Sequence, residues 1–189
     1  MGSPGISFQL LDGNEAGVRA TELVALHAEV YADPPYLWRD DATVFPARFR
    51  VQRRQPGFAL AVAGHGGYPV GYAAGMPLRS STSWWRDLTT LLPDEVTAEP
   101  PGRTFALVDL LVRASWRRQG IARTLHDLLL AGRSEERATA VVLPGAAAAQ
   151  RAFQDWGWHK VARTRDQAAG SSSPVADVLL LPLGALRDR

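Results

Sequence analysis

The chain has no cysteine in its 189 residues, so disulfide staples, thiolate zinc sites and a cysteine nucleophile are excluded. Lysine is nearly missing as well. Lys160 is the only one, and arginine carries almost all the positive charge. Because arginine does not titrate in the working range, the isoelectric point is high although 21 bases face 19 acids and the formal net charge is only +2. That excess gives no support to a nucleic-acid partner. No apolar stretch approaches the length needed to cross a bilayer, so no membrane partner is expected. Met1 to Gly5 lacks a basic segment followed by an apolar run and does not read as a secretory signal, which makes a cytoplasmic location the expectation. His27, His65, His126 and His159 show no metal-ligand spacing, so no metal is expected. No G-x-G-x-x-G occurs, nor a glycine-rich loop ending in Gly-Lys-Ser/Thr, and dinucleotide and P-loop readings lack support.

What is present is the composition of a globular protein, 46% apolar and 21% charged. One full-sized core fits this length and two do not, so a single domain spanning 1–189 is expected. Residues 6–11 alternate as an opening strand. From Glu15 to Ala32, Val18, Leu23, Leu26 and Val30 recur at helical spacing, with Pro34-Pro35 as the stop. A second helix is read over Asp41 to Gln55, with Val44, Phe45, Phe49 and Val51 apolar. Its basic face of Arg48, Arg50, Arg53 and Arg54 reads as solvated. Residues 58–63 and 70–76 read as strands joined by a multi-residue turn, Gly64 to Pro69. The long polar connection 79–102 holds Trp84-Trp85 and reads as a functional loop or a short helix. Thr104 to Arg113 suits a central strand. A turn over 117–122 follows, then a helix with Ile121, Leu125, Leu128 and Leu129 on one face. Residues 138–143 form another strand, 146–156 a helix closed by Gly157, and 158–165 and 174–181 two last strands around the flexible stretch 168–173.

The chemistry concentrates between strand 104–113 and the following helix. A turn entering a helix N-terminus aims several unpaired backbone N–H groups at one point, and the helix dipole adds positive potential there. That arrangement suits a pyrophosphate. In Arg117-Arg118-Gln119-Gly120-Ile121-Ala122, Gly120 admits close backbone approach, Ala122 is small, and the two arginines add charge. A basic turn that caps a helix without any ligand is the plainer alternative. Asp109 is the single acid of the strand, and a lone carboxylate among apolar residues must be paired or lie in a wet cleft.

The run from Asp109 to Leu130, DLLVRASWRRQGIARTLHDLLL, resembles motif A of the GNAT acetyltransferases, whose turn reads Q/R-x-x-G-x-G/A. The likeness continues through VVLP at 141–144 and AFQDWGW at 152–158. It implies an α/β (α+β) fold, a mixed and mostly antiparallel central sheet with helices on both faces, with CoA entering where strands 105–112 and 138–143 diverge. It implies an acyl-CoA-dependent N-acyltransferase that uses acetyl-CoA as co-substrate, without metal, to acetylate a primary amine on a small-molecule or peptide acceptor by direct transfer. Under the resemblance Arg117, Arg118, Gln119, Gly120, Ile121 and Ala122 bind the CoA pyrophosphate, and the backbone of Leu110, Leu111 and Val112 pairs with the pantetheine arm. Thr124 adds a hydroxyl to a phosphate, a local helix contact being the alternative. Asp109 draws a proton from the acceptor amine, an ion pair with a neighbouring arginine being its alternative. A homodimer stays open.

Two positions depart from the family pattern. Ala146 stands where an asparagine is usual, and Phe153 where a tyrosine commonly protonates the leaving thiolate. A non-catalytic acyl-CoA-binding or sensing domain is therefore the second reading. On the acceptor side, Tyr31, Tyr36, Trp38, Trp84 and Trp85, with Asp40, Asp41 and Asp87 near them in sequence, are candidates for a pocket taking a cationic amine.

Overall fold

The computed structural model describes residues 5–34, 36, 44–165 and 175–184. The first N-terminal helix begins where the sequence supplies its own cap. After strand β1 (Ser7–Leu11), the Asp12 carboxylate accepts the N–H groups of Asn14 and Glu15 at 2.8 and 2.9 Å, and the Glu15 carboxylate accepts the Asp12 N–H at 2.9 Å. This reciprocal capping box starts helix α1 (Gly13–Val18). The expected single helix is therefore two, broken at Arg19 before α2 (Ala20–Tyr31). The break explains why Val18 is 89% exposed while Leu23, Leu26 and Val30 are buried. Helix α3 (Val44–Gln52) buries Phe45 and Phe49, but Val44 and Val51 face outward, against expectation. Its basic residues divide also. Arg50 and Arg54 are exposed, Arg53 donates to the Gly13 carbonyl at 3.1 Å, and Arg48 turns inward. Trp38, residues 40–43 and the stretch 168–173 lie outside the described residues.

Strands β2 (Ala59–His65) and β3 (Tyr68–Pro77) pair antiparallel, with His65 opposite Tyr68. The connection is thus the two residues Gly66-Gly67 and not the longer turn read from the sequence. Their φ values of 58° and 88° identify the primed geometry that matches strand twist. Strand β4 (Thr104–Val112) is followed by α5 (Ile121–Leu130), β5 (Arg137–Val142), α6 (Ala147–Asp155), β6 (His159–Arg165) and β7 (Val175–Pro182). The seven strands form one mostly antiparallel sheet in the order β1-β2-β3-β4-β5-β7-β6.

The chain divides into two compact units. The first comprises Met1–Pro34, Arg39–Met76 and Leu107–Ala131. Its strands carry helices on opposite faces. Tyr72 sits in a core with Leu23, Leu26, Phe45 and Phe49 of α2 and α3. At the preceding residue, which points the other way, a Cβ on Gly71 would come within 3.3 Å of Leu125 on α5 and 2.8 Å of the Leu111 carbonyl. Gly71 is what lets these backbones approach.

The second unit comprises Pro35–Trp38, Pro77–Ala106 and Gly132–Arg189. Its long connection holds a short helix α4 (Asp94–Thr97) and is tied down by one buried acid. Glu99 Oε1 accepts from Trp85 Nε1 at 2.9 Å, Thr104 Oγ1 at 2.8 Å and Arg137 Nη2 at 2.9 Å. Residues 87–89 then run along β6, exchanging the Thr89 N–H to Arg163 carbonyl and Arg165 N–H to Asp87 carbonyl bonds at 2.7 and 2.9 Å. They cover an edge that would otherwise present unpaired backbone.

A Gly67→Val change forces a β-branched residue to φ near 88°. It is expected to cost about 1–2 kcal/mol, read as a lower midpoint in denaturant melts with an unchanged slope.

Candidate active site

After β4, a single 3₁₀ turn (Ala114–Trp116) leads into the exposed residues 117–120. Two of these four residues are left-handed: Arg118 at φ 63° and Gly120 at φ 79°. A non-glycine residue there is strained, and successive turn amides in this conformation form a concavity of N–H groups that takes anions. Gly120 is the N-cap of α5. Among the described residues no side chain caps that helix, and its first turn carries no acid. Among the described residues, and apart from its own chain neighbours, no atom lies within 4 Å of where a Gly120 Cβ would sit, so the glycine answers to its φ and not to crowding. Arg117 braces the turn by donating from Nε to the Val112 carbonyl at 3.0 Å. Gln119 reaches the Ser115 carbonyl at 3.4 Å. The Thr124 hydroxyl donates to the Gly120 carbonyl at 3.3 Å, the local helix contact. Ile121 is buried and anchors the helix, while Ala122 is half-buried. These features fit a diphosphate: open amides, a positive helix end and the adjacent arginines Arg117 and Arg118.

The other chemical group of this unit surrounds Asp109, whose side chain is 2% exposed. Arg48 reaches it from α3, with Nη2 at 3.3 Å from Oδ1. The same nitrogen lies 3.5 Å from His27 Nε2. His27 is sandwiched between Phe45 at 3.6 Å and Tyr31 at 4.3 Å between ring centroids. Burial, and after it the Arg48 charge, lower its pKa to about 3, so the imidazole is neutral at neutral pH. Tyr72 is fully buried, and burial, reinforced by the Asp109 charge, holds its phenol well above the usual tyrosine range. Downstream on β4, Leu110 is half-buried while Leu111 and Val112 are buried.

The sequence profile of the Acetyltransferase (GNAT) family matches residues 23–158. The chain belongs to this family. The fold is that of known GNAT structures, although sequence identity is low. Arabidopsis thaliana NAA60, solved in complex with acetyl-CoA, superposes with a TM-score of 0.68 at 14% identity, covering 95% of this chain and 99% of that one. The ribosomal-protein-S18-alanine N-acetyltransferase from Escherichia coli gives 0.63 at 14% identity, with 95% and 94% covered. An acetyltransferase from Thermus thermophilus gives 0.60 at 18% identity, with 96% and 99% covered. No curated protein matches the chain in sequence.

Of the two departures from the GNAT pattern, Phe153 has a structural explanation and Ala146 has none. Ala146 is the buried N-cap of α6 and supplies no side-chain bond to it. Phe153 is 5% exposed and belongs to the end of α6. There Gly157, at φ 91°, permits a Schellman closure: the Trp158 N–H bonds the Phe153 carbonyl and the Gly157 N–H bonds the Gln154 carbonyl, both at 3.0 Å. The Trp158 ring meets the Phe153 ring edge-on at 5.1 Å, the apolar contact that accompanies this motif, and Trp156 adds a tilted ring at 5.6 Å. Phe153 is core.

Of the aromatic acceptor candidates, Tyr31 stacks on His27 within the Asp109 group. Tyr36 is half-buried. Trp84 donates from Nε1 to Thr139 Oγ1 at 3.1 Å, and Trp85, 9% exposed, donates to Glu99. Both tryptophans are thereby anchored in their own unit, and Asp87 contributes its carbonyl to the β6 edge. Asp40 and Asp41 lie outside the described residues. Among the described residues no three His, Cys, Asp or Glu side chains gather as a metal site, and no helix is long and apolar enough to cross a membrane. Sequence reasoning missed Arg48, His27 and Tyr72. The one available signal was that Arg48 lies three residues past Phe45 and next to Phe49, on the border of the buried face.

Two outcomes follow from this geometry. Phe153→Tyr places a hydroxyl in an aromatic core and is expected to cost roughly 1–3 kcal/mol, seen as a lower Tm with kinetics per folded molecule unchanged. His27 binds a proton near pH 6.5 when unfolded but only near pH 3 when folded. Stability should therefore fall as pH drops through this interval, by at most about 1.4 kcal/mol per pH unit from this group. His27→Phe should flatten that slope in melts recorded between pH 7 and 4.

Proposed function

We propose that the chain is an N-acetyltransferase that moves the acetyl group of acetyl-CoA to a primary amine by direct transfer in a ternary complex. The observation that carries this reading is the open turn with two left-handed residues at the uncapped N-terminus of α5. Residues Arg117 to Ala122 hold the pyrophosphate through backbone N–H groups and arginine charge. The backbone of Leu110, Leu111 and Val112 pairs with the pantetheine arm, and N–H groups of this segment face the oxyanion that forms as the amine nitrogen attacks the thioester carbon. The C–S bond breaks and the sulfur leaves as thiolate. Asp109, directly or through water, takes the proton lost by the amine.

Phe153 has no proton to give, so the thiolate is protonated by another group or by water. Its absence is tolerable, because general acid catalysis contributes ~10²–10⁴-fold and a thiol of pKa about 8.5 leaves adequately as thiolate. Tyr31, stacked on His27 beside Arg48, is the aromatic candidate within this unit, and it suits a cationic amine through its ring face. Tyr36, Trp84 and Trp85 remain candidates for the acceptor side, the two tryptophans by holding a loop in place.

A thiol-release screen of acetyl-CoA against small-molecule and peptide amines tests the reading, with acetylated product identified by mass. Tight CoA binding with no thiol released by any amine would identify a binding or sensing domain instead. Gly120→Val should weaken CoA at least tenfold in calorimetric titration, the equivalent of about 1.4 kcal/mol. Unchanged affinity in the folded variant removes the turn from the CoA site.

A further inference from the structure

We propose that Arg48 is a positioning residue for the reaction: its guanidinium keeps Asp109 ionised and aimed, although α3 lies outside the CoA-binding motif. The proposal rests on the reading of Asp109 as proton acceptor given above. Its basis is geometric. Arg48 Nη2 lies 3.3 Å from Asp109 Oδ1 and 3.5 Å from His27 Nε2. The guanidinium carbon stands 5.3 Å from the centre of the Phe45 ring. The guanidinium is thus held by a carboxylate, an imidazole and an aromatic ring. Since arginine only donates, the His27 Nε2 atom is the acceptor and the ring proton sits on Nδ1.

Among the described residues, three elements bring titratable or charged groups around the Arg48–Asp109 pair: α3 brings Arg48, β3 brings Tyr72, and α2 brings His27 against Arg48 with Tyr31 stacked on it. His27 stays neutral to about pH 3, and Tyr72 stays a phenol. Neither supplies positive charge to Asp109 in the working range, and Arg48 does. A carboxylate with a 2% exposed side chain cannot rely on water for stabilisation. An adjacent guanidinium favours its charged form. Neutral His27 matters to this arrangement because a protonated imidazole would repel Arg48 from its place.

The test follows Asp109 itself by carbon-13 NMR of carboxyl-labelled protein, its signal assigned by its loss in Asp109→Asn. In Arg48→Gln the midpoint of its titration should rise by about one to three pH units, and Arg48→Lys should restore most of the shift. The acid limb of kcat/KM for thiol release should move by the same amount. An Asp109 midpoint unchanged in Arg48→Gln overturns the proposal. If Arg48→Gln does not fold, recovery of the fold in Arg48→Gln/Asp109→Asn supports it, and failure of that double variant overturns it by assigning Arg48 to packing on Phe45. A midpoint that moves while the rate profile stays fixed separates the two readings. The coupling then stands, Asp109 is not the proton acceptor, and Arg48 loses its part in the reaction.

Discussion

A charge inside an apolar strand is the constraint around which the first unit is organised. Strand β4 places Asp109 among Leu107, Val108, Leu110 and Leu111, with its side chain shut off from solvent. Left uncompensated, a buried carboxylate of this kind costs several kcal/mol. The compensation comes from α3, which buries Phe45 and Phe49 and so brings Arg48, three residues on from Phe45, against the strand. The cation in turn dictates the state of its neighbours. It adds to the burial that keeps His27 neutral, and a neutral His27 is what can stack closely on Phe45 and accept from Arg48. The Asp109 charge likewise helps to keep Tyr72 a phenol.

The turn after β4 meets a different demand with a different device. Anion binding by backbone needs N–H groups aimed outward, and helix ends provide them only if nothing else takes them. Under the proposed pyrophosphate contact, the unit meets this with two left-handed residues within four and, among the described residues, no side-chain cap on the helix. Arg117 stabilises the strained loop by bonding the Val112 carbonyl, which joins the turn to the last residue of β4. The arginine pair therefore divides its labour: Arg117 secures the strand end, while Arg118 occupies the left-handed position itself.

Most elements of the fold were legible because burial on a strand or helix leaves a period in the sequence. The runs at 104–113 and 138–143 carry such a period, and the turn before α5 has a glycine that reports a backbone requirement directly. What escaped were features decided by single local bonds or by long-range contacts. The break at Arg19 follows from the Asp12–Glu15 capping box, which starts a helix earlier than the apolar period suggests. The Gly66-Gly67 turn is shorter than the sequence suggests because its flanking His65 and Tyr68 look like loop residues, although they pair with each other. Arg48 looked like one of four solvated arginines, since its partner lies 61 positions away. Phe153 stands where the family commonly has a tyrosine, yet its aromatic character answers to Trp158 across the α6 terminus.

Two buried acids near β4, Glu99 and Asp109, are compensated in different ways. Glu99, with a side chain 1% exposed, receives an indole, a hydroxyl and a guanidinium on a single oxygen, and its Arg137 partner is itself only 12% exposed. Arg137 is spread over Glu99, Thr104 and the Val96 carbonyl, so moving it would break three bonds at once. Such an acid fixes a loop. Arg48, by contrast, keeps a third of its side chain in solvent while touching a carboxylate with a 2% exposed side chain. A guanidinium at that boundary reaches the carboxylate from a partly solvated position, and arginine remains charged there. Burial alone therefore does not mark a functional carboxylate. For the proton acceptor proposed above, the distinguishing feature is a compensating cation at the solvent boundary, which favours the carboxylate without enclosing it in a network that fixes a loop.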